Sequence, residues 1–172
     1  MYFDTDMSSW HCRVMLQVSA QVTIRRPLDE VRQQFADVGY HERTGHHRGV
    51  SFHVVSENSQ SCSYSQETRL GPLRLRQEFE LDTSVPGHQV NVLVSGPFSP
   101  GSITIDIVAD GEDGAIVTAT LCSTRPGFTQ IAAPLLRRSL ERALRQALEE
   151  DRDDLELDGM RRDSEPHDGS HV

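Results

Sequence analysis

The sequence predicts an α+β fold in which about seven antiparallel strands form a curved sheet around one long C-terminal helix. Apolar and polar residues alternate with a period of two through most of the chain before residue 125. Near Thr129 the period changes to that of a helix. Turn-forming residues separate successive alternating stretches by only a few positions, which favours antiparallel pairing between neighbours.

At 172 residues the chain is long enough for one domain with a real core. We divide it into three parts. Residues 1–12 show no period and are expected to form a loose N-terminal segment. Residues 13–157 carry all the periodic stretches and form the predicted domain. Residues 158–172 are polar and aperiodic, so we expect a disordered acidic tail.

The first strand ends at Ile24, and short helices are expected after it. Its inward face is formed by Val14, Leu16, Val18, Ala20, Val22 and Ile24. Pro27 suits the first turn of the helix that follows. The apolar stripe of that helix consists of Leu28, Val31, Phe35 and Val38. Gly39 and Gly45 weaken the helix beyond this point.

The remaining strands and the last helix follow from the same patterns. In "PLRLRQEFELD" the expected buried residues are Leu73, Leu75, Phe79 and Leu81. The long helix is predicted from about Thr129 to Leu157. Its apolar side is marked by Leu136, Leu140, Leu144, Leu148 and Leu155.

Composition excludes several classes of partner. The net charge of −9 argues against nucleic acid and against an anionic membrane surface. No stretch approaches the ~18 apolar residues of a membrane helix, and the acidic N-terminus lacks the apolar core of a signal peptide. The three cysteines are odd in number and far apart, which makes a disulfide framework improbable. We therefore expect a cytoplasmic protein.

The order of elements resembles the START/polyketide-cyclase superfamily, also called SRPBCC or the helix-grip fold. The resemblance covers about residues 14–157. Members include lipid carriers, hormone receptors, aromatase/cyclases and the catalytic domains of Rieske-type aromatic-ring oxygenases. A sheet that grips one helix leaves room for a cavity that takes a small hydrophobic or aromatic ligand. Its expected lining residues are Tyr64, Leu75, Phe79, Leu144 and Leu148.

Two stretches are similar to the ring oxygenases in particular. Their catalytic domains carry Asp-x2-His-x4-His soon after the first helix, and their third iron ligand is an acidic residue on the long helix. Here "DVGYHERTGH" and "EEDRDDLE" match these motifs. The resemblance implies that His41, His46 and Asp151 bind Fe(II), and that Asp37 has a catalytic role. Asp37 lies four residues before His41, where the family has three.

The chain contains no Cys-x-His or Cys-x2-His pair, so it holds no Rieske cluster. An iron at this site would need a separate electron-transfer protein. Two imidazoles and one carboxylate form the facial triad of non-haem iron oxygenases, and Zn(II) with an activated water fits almost as well.

The spacing of Asp151 on the long helix agrees with a site that faces the interior. It lies seven residues after Leu144, three after Leu148 and four before Leu155, which is on or beside the apolar stripe. A buried carboxylate there needs an arginine, hydrogen bonds, a proton, water or a metal. Asp37 precedes His41 by one helical turn and could accept the proton of its free ring nitrogen.

Simpler explanations stay open from the sequence alone. A histidine cluster at a helix end is often just solvated. Asp151 could pair with an arginine, and Arg152, Arg145 and Arg43 are available. We interpret His47 as a surface residue, and His53 as facing away from the core.

Three functions share the predicted cavity. The first is a metal-dependent enzyme of the ring-oxygenase type, and the second is a metal-free polyketide cyclase or dehydratase. The third is a non-catalytic carrier or sensor of a hydrophobic ligand. The sequence leaves open whether the protein is an enzyme, what its ligand is and in which oligomeric state it acts.

Overall fold

The computed structural model describes the backbone of residues 16–58, 61–125 and 128–164, and side chains within 16–58, 61–125 and 136–157. The predicted N-terminal segment 1–12 and the last residues of the predicted tail lie outside this range. The elements are β1 (Leu16–Ile24), α1 (Leu28–Ala36), α2 (Val38–Thr44), β2 (Val50–Glu57), β3 (Ser61–Leu70), β4 (Leu73–Val85), β5 (His88–Ser95), β6 (Gly101–Ala109), β7 (Ala115–Ser123) and α3 (Phe128–Ser164).

The seven strands form one antiparallel sheet in the order β1-β7-β6-β5-β4-β3-β2. Register shifts interrupt the β2–β3 pairing between Val54 and Ser56 and the β4–β5 pairing between Glu78 and Phe79. Such irregularities bend strands, and these lie in the part of the sheet formed by β2 to β5. The predicted curved sheet gripping a long helix is confirmed.

The inward faces of the strands form the core, as their alternation predicted. In β1 every second residue from Leu16 to Ile24 is buried. Leu73 is the exception to the predicted pattern, because it is 49% exposed. It is the first residue of β4, two positions after Gly71 in the turn that joins β3 to β4.

The region after β1 contains two short helices, which confirms the short helices predicted there. The chain leaves the helical conformation at Asp37, whose side chain caps the N-terminus of α2 by accepting a hydrogen bond from the Tyr40 backbone N–H. Gly45 ends α2 in the left-handed conformation, with φ 56°. A residue with a Cβ is strained there, so the glycine permits the turn that brings the chain back toward the sheet.

Helix α3 lies across the sheet and buries one side. Leu140, Leu148 and Leu155 are each at most 6% exposed. The helix ends at Ser164 and not at Leu157, so the first part of the predicted disordered tail is helical. A single glycine, Gly159, costs an exposed helix only about 1 kcal/mol relative to alanine, and a helix this long tolerates that. None of the helices in the described part of the chain combines the length and the apolar character that a membrane span requires.

Candidate functional site

Four ionisable side chains converge between the α2–β2 segment and α3. We call His41, His46, His47 and Asp151 the His–Asp cluster. Each offers one nitrogen or carboxylate oxygen, and these four atoms all lie within 4.8 Å of one another. The side chains are between 2% and 13% exposed. The structure therefore brings together the three residues nominated from the sequence and adds a fourth.

Asp151 Oδ1 is the common neighbour of the three rings. It lies 2.9 Å from His46 Nε2, 3.3 Å from His47 Nε2 and 3.5 Å from His41 Nδ1. His47 Nε2 is also 3.3 Å from His41 Nδ1. Donor atoms about 3.3 Å apart are what bonds of about 2.0 Å to one tetrahedrally coordinated ion require. Three of these four distances are close to that value and no pair of the four donor atoms is more than 4.8 Å apart, so these residues could hold a single metal ion.

Both ring nitrogens of His46 have a partner. Nδ1 lies 2.7 Å from the Thr44 hydroxyl, which itself lies 2.9 Å from the Tyr40 carbonyl oxygen. Nε2 lies 2.9 Å from Asp151 Oδ1. The ring donates to the carboxylate when Nε2 carries hydrogen and directs a lone pair at it when Nε2 does not.

His47 is held between two carboxylates. Its Nδ1 lies 3.3 Å from Glu150 Oε2 and its Nε2 lies 3.3 Å from Asp151 Oδ1, so an acceptor faces each ring nitrogen. The Arg48 backbone N–H and the Gln146 side chain also donate to Glu150 and hold it in place. Carboxylates that orient metal-binding histidines in this way are a common outer layer of metal sites.

The interpretation of His47 as a surface residue is wrong, because its side chain is only 2% exposed. The regular spacing that predicted the other buried residues stops at Gly45, so periodicity could not assign a side to His47. Its two acidic partners, Glu150 and Asp151, are adjacent on α3. The sequence signal that could have placed His47 in the site is the combination of two adjacent histidines with two adjacent acidic residues on the long helix.

Burial and charge act in opposite directions in the cluster. Burial lowers the pKa of His41, and the neighbouring charge of Asp151 only partly offsets this. Burial also opposes protonation of His47, but hydrogen bonds and charges from Asp151 and Glu150 raise its pKa above the ordinary value. Burial alone would raise the pKa of Asp151, yet its contacts with His46 and His47 hold it below the usual range. A proton that enters the metal-free cluster therefore binds His47 in preference to His41.

The arginines considered as partners of Asp151 are engaged elsewhere or exposed. Arg152 pairs with Asp153 and Arg43 with Asp37, and no ion pair joins Asp151 to an arginine among the side chains that the structure describes. His53 is exposed and contacts Glu42, as its outward position predicted.

Asp37 contacts Tyr40 and Arg43 rather than the cluster. Within the described residues no hydrogen bond connects it to His41, and only its negative charge acts on that ring. Its predicted catalytic role stays a prediction.

The cluster forms part of the wall of a cavity between the sheet and α3. This proximal cavity has an empty volume of about 680 Å³, including solvent at its mouth. His41, His47 and Asp151 line it together with apolar side chains of both core clusters, among them Val38, Phe52, Leu81 and Ile105. Most of the wall is hydrophobic, which suits an apolar ligand.

A second space adjoins it, the distal cavity of about 480 Å³. Five residues line both cavities: Val50, Gln66, Ile103, Leu144 and Ala147. Of the five residues predicted to line a pocket, Tyr64, Leu144 and Leu148 line the proximal cavity and Leu75 lines the distal one. Phe79 is 1% exposed and stacks on Tyr64, with ring centroids 5.1 Å apart, so it supports the wall from behind.

Polar side chains at inward strand positions were not foreseen from the sequence. Asn91 accepts a hydrogen bond from the buried Tyr64 hydroxyl and donates to the Ile103 carbonyl. Gln89, with its amide oriented to satisfy both groups, donates to the Phe35 carbonyl and accepts from the Ala36 N–H. Gln89 and Asn91 lie on the same face of β5 as the buried Leu93, and that shared parity was the signal.

No protein-family model matches the sequence, and no curated protein matches it. Solved structures do share its fold. A protein from Thermus thermophilus is 18% identical with a TM-score of 0.69, over 80% of this chain and 94% of its own. An aromatase/cyclase from Streptomyces sp. R1128 is 14% identical with a TM-score of 0.64, over 81% and 93%. A STAR-related lipid transfer protein fragment from Xanthomonas axonopodis is 12% identical with a TM-score of 0.57, over 84% and 88%.

These similarities extend over 80–84% of this chain, and they agree with the fold predicted from the element order. At such low identity they establish architecture and not activity. The chain has the helix-grip fold found in polyketide aromatase/cyclases and START lipid-transfer proteins.

Proposed function

We propose that this protein binds one divalent metal ion in the His–Asp cluster and a small apolar or aromatic molecule in the adjoining cavity. The observation that carries the metal proposal is the convergence of four buried donor atoms, three ring nitrogens and the Asp151 carboxylate oxygen, within 4.8 Å of one another. A neutral ring whose nitrogen lone pair faces Asp151 repels the carboxylate. Burying such groups together has a high cost in free energy unless a cation lies among them.

In the metal-free protein a proton has to replace the ion. The raised pKa of His47 agrees with this, because a proton there reduces the repulsion with Asp151. A metal and a proton would therefore compete for one place, and metal affinity should fall as the pH falls.

The donors suit both metals named from the sequence. Fe(II) held there would supply redox chemistry with dioxygen, and Zn(II) would supply Lewis-acid chemistry. The set of three histidines and one carboxylate has one protein donor more than the 2-His-1-carboxylate triad of the ring oxygenases. It leaves one position fewer for substrate or dioxygen, and this favours Zn(II) more than the sequence resemblance did. A separate electron-transfer protein is needed only for the Fe(II) alternative.

The residues around the cluster have separate tasks in this proposal. Thr44 and Glu150 fix the rings of His46 and His47. The apolar walls exclude water, which strengthens electrostatic interactions at the cluster. His41 and His47 are the cluster rings that reach the cavity, so a bound molecule would meet them first.

A second candidate is a metal-free cyclase or dehydratase. The fold similarity to an aromatase/cyclase supports it, together with a histidine of raised pKa in the cavity wall that could carry a proton to or from a substrate. The lipid-transfer relative supports the third alternative, a carrier that binds the ligand without turnover.

Metal analysis of protein purified without a histidine tag tests the proposal directly. We expect one Fe or Zn per chain, or uptake of one ion from added Zn(II) or anaerobic Fe(II). Free metal at 100 times its Kd should stabilise the fold by about 2.7 kcal/mol. Asp151→Ala should weaken metal binding by at least about 100-fold, because a buried anionic donor is lost.

Asp153→Ala is the matched control, because Asp153 is an exposed carboxylate two residues further along the same helix. It should leave metal binding unchanged. Circular dichroism should show that both variants fold. Absence of metal after purification, together with no thermal shift on adding either ion, would contradict the metal proposal and leave the cyclase and carrier alternatives.

A further inference from the structure

The wall of the distal cavity includes a buried acceptor that has no hydrogen-bond partner among the described residues. Gln77 lines this cavity and is 4% exposed. Its side-chain Oε1 has no hydrogen-bond partner in the part of the chain that the structure describes. A buried carbonyl oxygen left unpaired costs about 1–3 kcal/mol, so native proteins rarely keep one without a reason.

The nearest polar neighbours do not satisfy it. Gln66, directly opposite Gln77 on β3, donates its side-chain N–H to Thr68. The other two amides on the inward face, Gln89 and Asn91, are each paired through both their oxygen and their nitrogen. Gln77 is therefore unlike the other buried amides, and it lies in the wall of an empty space.

We infer that Gln77 accepts a hydrogen bond from an O–H or N–H group at the end of the bound ligand that lies away from the His–Asp cluster. The distal and proximal cavities share five lining residues, so one elongated molecule can occupy both. The walls between the two polar ends are mostly apolar. The ligand class is thus an elongated, largely apolar molecule with a hydroxyl or N–H donor at one end.

This inference rests on the proposed ligand cavity but not on the proposed metal. A water molecule bound to Gln77 in the free protein does not oppose it, because a ligand hydroxyl would take the place of that water.

The test compares two probes of nearly equal shape, 2-naphthol and 2-methylnaphthalene, of which only the first has an O–H donor. Their Kd values are measured by fluorescence with EDTA present, so that no metal can capture the hydroxyl. For Gln77→Leu we expect the preference for 2-naphthol over 2-methylnaphthalene to fall about 3- to 10-fold, the range of one net hydrogen bond. Binding of 2-methylnaphthalene should stay within about twofold of wild type.

Ser123→Ala is the control, because Ser123 is fully buried, donates a hydrogen bond to the Phe98 carbonyl and lines neither cavity. It should lower the melting temperature and keep the naphthol preference. Gln77→Leu should keep or raise the melting temperature, since its Oε1 makes no hydrogen bond within the described chain that could be lost.

The inference is overturned if Gln77→Leu keeps the wild-type preference for 2-naphthol. It is also overturned if Gln77→Leu loses affinity for both probes equally and has a lower melting temperature. Binding of neither probe to wild type overturns it together with the ligand part of the proposed function. Metal content is measured on the same samples. A protein that binds the probes but no metal would therefore contradict only the metal part of the proposed function.

Discussion

The two ends of the cavity system differ in the kind of polar group that the fold buries. At the proximal end, the His–Asp cluster places a carboxylate oxygen within 3.5 Å of three ring nitrogens. At the distal end, neutral amides and a hydroxyl line the wall, and the buried Gln77 Oε1 is without a hydrogen-bond partner among the described residues.

This difference indicates different occupants. Ring nitrogens around a buried carboxylate are stabilised by a cation, either a proton or a metal ion. The occupancy of the proximal end therefore depends on pH. An unpaired amide oxygen is stabilised by a neutral donor and has no titration of its own near neutral pH. The apolar side chains that separate the ends allow each occupant to be tested without the other.

The largest effect is expected at the proximal end, from a substitution of His47, the cluster residue that was not nominated from the sequence. His47→Ala should weaken Zn(II) binding by about 100-fold in isothermal titration, because a donor nitrogen is lost. His53→Ala, which changes an exposed histidine outside the cluster, should have no effect. Unchanged affinity in His47→Ala would reduce the site to the triad of His41, His46 and Asp151.

A smaller effect is expected from the carboxylate behind His47. Glu150→Ala removes the acceptor that faces Nδ1, and metal affinity should fall about 10-fold. Glu150→Gln keeps an oxygen that can accept and should recover part of this loss. Glu149→Ala changes the exposed neighbouring carboxylate and is the control. Equal affinities of Glu150→Ala and wild type would show that Glu150 does not orient the ring.

The smallest effect is the pH dependence of the metal-free protein. His47 has a raised pKa when folded, so its contribution is fully present below about pH 6.5 and is lost as the pH rises through the folded value. His41 has a lowered pKa, so the unfolded chain binds a proton first and stability falls as the pH drops below about 6.5. The two opposing contributions partly cancel in wild type.

Single variants should separate these contributions. Urea unfolding in EDTA, measured from mildly alkaline to mildly acidic pH, should show a gain in stability toward low pH for His41→Phe and a loss for His47→Phe. The same slope in both variants would mean that the two rings do not differ in pKa.

The fold was predictable because most of its core follows two simple periods. Alternation in β1 and the leucine spacing of α3 placed the buried faces correctly, including that of Asp151, which is 5% exposed. The end of α3 was not predictable in this way, because the sequence after Leu157 has no apolar stripe to mark a continued helix.

The candidate site was only partly predictable, since periodicity describes regular elements alone. His41 lies on α2, in register with the buried Val38, and the conformation of Gly45 brings His46 to the same point. His47 follows an irregular turn, and only the tertiary structure determines which way its side chain faces. Gln77 lies on the same inward face of β4 as Leu75 and Phe79, as the alternation predicts. Its lack of a hydrogen-bond partner within the described chain depends on how three strands pack together, and the alternation contains no information on that.

Helix α3 contributes to both ends of the cavity system. Leu144 lines the two cavities, and Asp151 lies two turns further along the same face. Any shift of the helix that one occupant imposes is therefore transmitted to the binding site of the other. Such coupling is reciprocal by thermodynamic necessity, so an ion that raises ligand affinity by some factor is itself bound more tightly, by the same factor, when the ligand is present.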